Sequence, residues 1–260
     1  MKHRVPYFSE VIARGRVKFC RSIASHSGRG PLVPRFIYVL ILSFAVVGCG
    51  HGELKPETQV LGNAPRALSL GSEQALRKLF EGNQRYVQDR LIHPDQSRSR
   101  VREVSNEQHP IAAILGCADS RVPPEIIFDQ GIGDLFVVRE AGNIIDDAVI
   151  ASMEYAAVHL GVSLIFILGH ERCGAIEAAV HNQYEGHIGT LVDAISPAID
   201  LVQGKEGDPI DLVSRAHVDL VRTKLMNSRP VLRARLESKQ LLIVSGYYDL
   251  DSGRVEILKQ

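Results

Sequence analysis

The sequence predicts an α/β fold: a mainly parallel central sheet flanked by helices, with an N-terminal helical arm and a C-terminal antiparallel edge strand. Three observations lead there. Apolar runs at Ile111 to Gly116, Leu135 to Arg139, Ser163 to Leu168 and Leu241 to Ser245 lack polar alternation, as expected of strands covered on both faces. The segments between them repeat their apolar residues at helical spacing, and strands that alternate with helices build parallel sheets. Residues 246–258 carry a turn signal at Asp251 to Gly253 ahead of a last short apolar stretch, which suits an antiparallel edge strand.

At the N-terminus the charge pattern matters more than its total. The 260 residues hold 30 Lys and Arg against 30 Asp and Glu. However, Lys2, Arg4, Arg14, Arg16, Lys18, Arg21, Arg29 and Arg35 face only Glu10, so residues 49–260 keep 22 basic and 29 acidic side chains, net −7. A body of that sign offers no basic footprint for nucleic acid. The basic stretch runs into a 12-residue apolar run, 36–47, too short to span a bilayer, which takes about 20 residues. Together these read as a secretory leader over 1–48. Val46-Val47-Gly48-Cys49 also resembles a bacterial lipoprotein signal, in which Cys49 carries lipid and begins the mature chain; an uncleaved signal anchor is the alternative. Either arrangement tethers the body to a membrane outside the cytoplasm, in the bacterial periplasm or cell envelope. Residues 49–71, with Gly52, Pro56, Gly62 and Pro65, read as a flexible tether, and the folded domain is expected over 72–260.

Within that domain Ser72 suits a helix N-cap and Glu73 the first turn, with Leu76, Leu79, Phe80 and Tyr86 or Val87 on one stripe to about Leu91. Ile92 to Pro110, with Arg98, Arg100 and Arg102, reads as solvated surface. Further helices are expected over Asp146 to Leu160, closed by Gly161, and over Ala175 to Tyr184, Thr190 to Val202 and Pro209 to Met226.

The chemistry gathers where two buried runs stop. Cys117-Ala-Asp119-Ser-Arg121 follows the first, and His170-Glu-Arg-Cys173 follows the third. Ligands of open α/β sheets bind beyond the carboxyl ends of the strands, so both clusters are expected to face one crevice. Of the four cysteines, Cys20 falls in the leader and Cys49 is the lipid candidate, which leaves Cys117 and Cys173. Two thiolates and an imidazole suit zinc, with a fourth place for water or Asp119. A disulfide between Cys117 and Cys173 is the alternative for an exported chain.

At these residues the chain resembles the β-class carbonic anhydrases. The likeness runs through Cys117-Ala-Asp-Ser-Arg-Val-Pro-Pro-Glu125, Gly133-Asp-Leu-Phe-Val-Val-Arg139, Ala141-Gly-Asn143, Glu154-Tyr-Ala156 and Gly169-His-Glu-Arg-Cys-Gly174, and extends from about Ser72 to Leu258. It implies reversible hydration of CO2 to bicarbonate and a proton, on a zinc-bearing α/β fold whose basic unit is a homodimer, with higher even oligomers built from it. By the same match Cys117, His170 and Cys173 are the zinc ligands and Asp119 and Arg121 the catalytic pair. Asp119 can accept a hydrogen bond from the attacking hydroxide while Arg121 keeps it ionised and turned away; if that pairing opens, Asp119 can become a fourth ligand, a closed state of some members. Phe136, Ala141 and Tyr155 are wall candidates for an apolar CO2 pocket, and Gln108 matches a glutamine that hydrogen-bonds substrate. The resemblance implies that Gln108 and the aromatic walls act across the dimer interface.

Smaller features complete the reading. Asn143 is expected to shape the pocket through its backbone, and Glu140 departs from the Asn that many members carry there. His109, His159, His181, His187 and His217 read as surface or satisfied residues. The chain has no Trp, so it cannot rebuild the Trp, Arg and Tyr pocket through which some members bind regulatory bicarbonate. Two other functions use the same residues: hydrolysis of a CO2 analogue, carbonyl sulfide or carbon disulfide, on the same zinc scaffold, and a non-catalytic zinc- or bicarbonate-binding module.

Overall fold

A computed structural model describes residues 71–228 and 230–258. The leader, Cys20, Cys49 and the tether up to residue 70 lie outside the described residues. Among the described residues, no helix is long and apolar enough to cross a membrane.

The apolar runs form the strands β1 (Ala112–Gly116), β2 (Leu135–Arg139), β3 (Leu164–His170), β4 (Leu242–Tyr248) and β5 (Val255–Ile257). They make one sheet in the order β2-β1-β3-β4-β5, with β5 alone antiparallel. The chain therefore leaves β1 toward one edge, forms β2, and crosses back to place β3 on the other side of β1. Gly116, the last residue of β1, is level with Leu168 of β3. The stretches that follow these two strands consequently emerge side by side.

The helices are α1 (Ser72–Val87), α2 (Arg98–Glu103), α3 (Pro124–Ile127), α4 (Asp147–Val158), α5 (Gly174–Val180), α6 (Ile188–Val202), α7 (Pro209–Asn227) and α8 (Val231–Glu237). Alternate strand residues feed two apolar layers. Ile114, Leu164, Phe166, Leu168 and Val244 pack with α1, α3, α5 and α6. Ala113, Leu115, Ile165, Ile167 and Ile243 pack with α4 and α8, and α7 contributes to both layers. Phe166, fully buried, meets Phe80 and Phe128 edge-on at 6.1 and 5.6 Å between ring centres.

Several expectations need correction. Gly71, not Ser72, occupies the N-cap of α1, without a side-chain cap. That helix stops at Val87, short of Leu91, and Asp89 turns left-handed at φ 53°. The segment from Ile92 to Pro110 is not merely solvated surface: it contains α2, and Arg100 reaches back to the Ile132 carbonyl and to Asp134. α5 ends at Val180, ahead of a left-handed Asn182. β3 and β4 run on through His170 and Tyr248. β2 is an edge strand whose five residues are only half-buried, so it is not covered on both faces within one chain.

His217 is also not what the sequence suggests. It sits on α7 at 3% exposure, and neither ring nitrogen has a hydrogen-bond partner. Burial lowers its pKa to about 4, against a smaller opposing effect of the Gly142 backbone. The unfolded chain thus takes up a proton near pH 6.5 that the folded chain refuses until about pH 4, so stability falls as pH drops through that window. Replacing His217 by Gln is expected to remove up to about 3 kcal/mol of this acid sensitivity. Urea midpoints of the parent and of His217→Gln, compared at pH 7 and pH 5, check it: the parent loses more.

Candidate metal centre

The three expected ligands converge at the crossover. Cys117 follows β1, His170 is the last residue of β3, and Cys173 precedes the first turn of α5. All are buried, at 3%, 1% and 2% exposure. One ligand atom from each lies within 4.8 Å of the others. The two Sγ atoms are 3.9 Å apart, which rules out a disulfide, whose sulfurs sit about 2.05 Å apart. Two thiolates on one tetrahedral zinc, each about 2.3 Å away, would be about 3.8 Å apart. His170 Nδ1 lies 2.8 Å from the Glu171 carbonyl, so it takes the proton, while the buried Nε2 has no partner. A free imidazole lone pair and two sulfurs at metal-spanning distance fit a soft divalent ion.

The sulfurs are unequal without a metal. The hydrogen bond between the two sulfurs, with smaller help from His170 and the backbone N–H groups of Asp119 and Gly142, holds the Cys117 thiol below the ordinary thiol range against burial. Cys173 is pushed well above the ordinary thiol range by that same bond and by burial. The pair thus shares one proton, which a dication would displace.

Polar ties to backbone fix the surrounding loops. Asp119 accepts Arg121 Nε at 3.0 Å and Nη2 at 2.7 Å, and its Oδ1 also accepts the Arg121 backbone N–H at 2.9 Å. The Arg121 side chain is the main reason the Asp119 carboxyl drops to about 2. Arg121 Nη2 reaches on to the Arg172 carbonyl at 3.0 Å, which joins the two ligand loops. Arg139, the last residue of β2, donates to the carbonyls of Cys117 and Asp119. Gly142 lends its N–H to Cys117 Sγ at 3.3 Å from a left-handed φ of 69°.

Ala141 opens the short 3-10 turn that contains Gly142, so it stands beside the centre. Gln108, Phe136 and Tyr155 do not join the metal site within one chain. Gln108 lies exposed in the loop before β1. Phe136 packs with the α4 layer, away from the layer that holds both cysteines, and its ring is 6.2 Å from that of Tyr155, which is 47% exposed. Asn143 acts through its side chain rather than its backbone: Nδ2 donates to the Leu115 carbonyl at 3.2 Å and the Leu168 carbonyl at 2.7 Å. It bridges the ends of β1 and β3. Arg139 and Arg172 both lie in the motifs, but nothing there marks the Cys117 and Asp119 carbonyls as the partners of Arg139, the Asp251 carboxylate as the partner of the Arg172 side chain, or the Arg172 carbonyl as an acceptor for Arg121.

Asn143→Ala leaves the Leu115 and Leu168 carbonyls without that donor in a buried site. The expected cost is about 2 to 3 kcal/mol of stability, read from urea unfolding.

The carbonic anhydrase family model matches residues 112–255. Carbonic anhydrase 2 of Mycobacterium tuberculosis is 41% identical over 185 residues, covering 69% of this chain and 89% of that protein. The carbonic anhydrase of Mycolicibacterium smegmatis is 38% identical over 188 residues, covering 70% and 91%. Among solved structures, the Coccomyxa β-carbonic anhydrase in complex with acetazolamide superposes with a TM-score of 0.58 at 26% identity, covering 71% of this chain and 86% of its own. Tetrameric β-carbonic anhydrases of the ascomycete Sordaria macrospora give 0.56 at 26%, covering 61% and 85%. These matches favour CO2 hydration over analogue hydrolysis or a binding module, and with the Cys117, His170, Cys173 cluster they mean that this chain belongs to the carbonic anhydrase family, in its β class.

Proposed function

We propose that the enzyme hydrates CO2 to bicarbonate and a proton at a zinc ion held by Cys117, His170 and Cys173. The observation that carries this is the buried, partnerless Nε2 of His170 beside two sulfurs 3.9 Å apart. Zinc bound there would lower the pKa of a coordinated water toward neutrality and so supply hydroxide, less strongly than with three histidines because two thiolates donate more charge. Asp119 is placed to accept a hydrogen bond from a hydroxide supplied there, which would orient its lone pair toward CO2. Arg121 engages both carboxylate oxygens, which keeps Asp119 ionised and off the metal. Were that pairing to open, Asp119 would be free to close the site as a fourth ligand.

We extend the reading to a homodimer, or a higher even oligomer, in which Gln108, Phe136 and Tyr155 of one copy complete the CO2 pocket of the other, with Ala141 as the near wall. The half-buried β2 edge and the exposed Tyr155 support this, since a second copy would cover both. The basic segment, the apolar run and the Cys49 context support an exported protein with a leader over 1–48, lipid on Cys49, a tether over 49–71 and the enzyme domain from 72.

Stopped-flow CO2 hydration, with metal quantified on the same sample, is expected to show about one zinc per chain and a rate rising from neutral to alkaline pH. Asp119→Asn is expected to lower the rate about 10- to 100-fold at unchanged zinc content. Full zinc without hydration at alkaline pH would overturn the reading. Intact mass of the native protein is expected to show a lipidated chain beginning at Cys49; an unmodified chain beginning near Met1 would overturn the export proposal.

A further inference from the structure

Ser214 lies on the buried face of α7 at 3% exposure, and its Oγ donates to the carbonyl of His170 at 3.1 Å. The direction of this bond is unusual for a helical serine, which commonly bonds back to a carbonyl one turn earlier in its own helix. Ser152 and Ser196 do so, to Ala148 at 2.8 Å and Val192 at 2.7 Å. Ser214 instead leaves its helix for the end of a strand.

The carbonyl it holds belongs to the peptide between His170 and Glu171. The N–H of that same peptide donates to the Tyr248 carbonyl on β4 at 3.1 Å. Its plane is therefore pinned from both sides, by α7 and by β4. The next carbonyl along, that of Glu171, accepts His170 Nδ1 at 2.8 Å and sets the rotation of the imidazole. A tilt of the pinned plane would carry the Glu171 carbonyl with it and swing Nε2. Without the Ser214 hydroxyl, the His170 carbonyl loses its donor in a buried site and the plane loses one of its two anchors.

We propose that Ser214 is a positioning residue for the metal centre, aiming the Nε2 lone pair of His170 through the His170–Glu171 peptide without touching the metal. The proposal rests on reading that centre as a zinc site. It also implies that α7 helps set metal affinity although it supplies no ligand.

The test measures zinc affinity by chelator competition and the visible spectrum of the cobalt-substituted protein, with circular dichroism of the zinc-free chain on the same samples. Ser214→Ala is expected to weaken zinc binding about tenfold and to shift the cobalt bands. Ser196→Ala, which removes a hydroxyl-to-carbonyl bond inside α6, and Ser214→Thr, which keeps the hydroxyl, are expected to stay within about twofold of the parent. Parent-like affinity and spectrum in Ser214→Ala would overturn the proposal. So would a Ser214→Thr variant as weak as Ser214→Ala, because side-chain volume rather than the hydroxyl would then be responsible. A parent chain that binds no zinc would overturn the zinc reading and this proposal with it.

Discussion

The site depends on one pairing: β1 and β3 are hydrogen-bonded neighbours although β2 lies between them in sequence. In a parallel sheet, a reversal in the direction of strand addition opens a crevice beyond the carboxyl ends, because the connections on either side turn away from each other. Cys117 and His170 stand at the ends of the two strands that flank this opening, and Cys173 at the N-cap of the helix that follows the second. The apolar layers above and below the sheet hold the pairing in register. Burial of residues such as Ile114, Phe166 and Ile167 contributes about 1.5 to 3 kcal/mol each, so the geometry of a small polar site is underwritten by a large apolar one.

A crevice of this kind is made of loops, and loops expose backbone groups that need partners. Here the partners are side chains from elements nearby. Arg139 on the edge strand gathers the carbonyls of the Cys117 loop, Asn143 bridges β1 to β3, and Arg121 ties the Asp119 loop to the Cys173 loop. Each bond closes a long stretch of sequence with one contact. The result is a centre in which the ligands are short side chains on strongly constrained backbone, a better basis for a fixed coordination geometry than flexible arms.

How much of this could be read beforehand follows from what each residue bonds to. The strands were legible because continuous Val, Ile, Leu and Phe leave few alternatives, and the ligands were legible because thiols and imidazoles after two such runs have few other uses. The end of β3 was not, since Gly169 and His170 do not look like strand residues although they pair with Tyr247 and Tyr248. The roles of Arg139, the Asn143 side chain and Ser214 were hidden for a shared reason: their partners are backbone carbonyls, which every residue carries, so no pattern in the sequence singles them out. His217 was misread because nothing in a helical stripe marks which polar member the neighbouring layers will cover. Gln108, Phe136 and Tyr155, proposed above to serve a neighbouring copy's pocket, stand apart from the metal cluster in one chain.

Gly142 joins the metal-site loop to the apolar core. A Cβ on it would lie 3.0 Å from both Ala175 Cβ in α5 and Ile195 Cδ1 in α6, so the turn is pressed against the ordinary apolar core. Its N–H points at Cys117 Sγ. A hydrogen bond to a thiolate draws electron density away from the sulfur, and the less density the sulfur gives a metal, the more acidic that metal leaves its water. The packing of α5 and α6 against this turn therefore fixes where that N–H points, and if zinc sits at the centre, the apolar interior bears on how much electron density the Cys117 sulfur can give it.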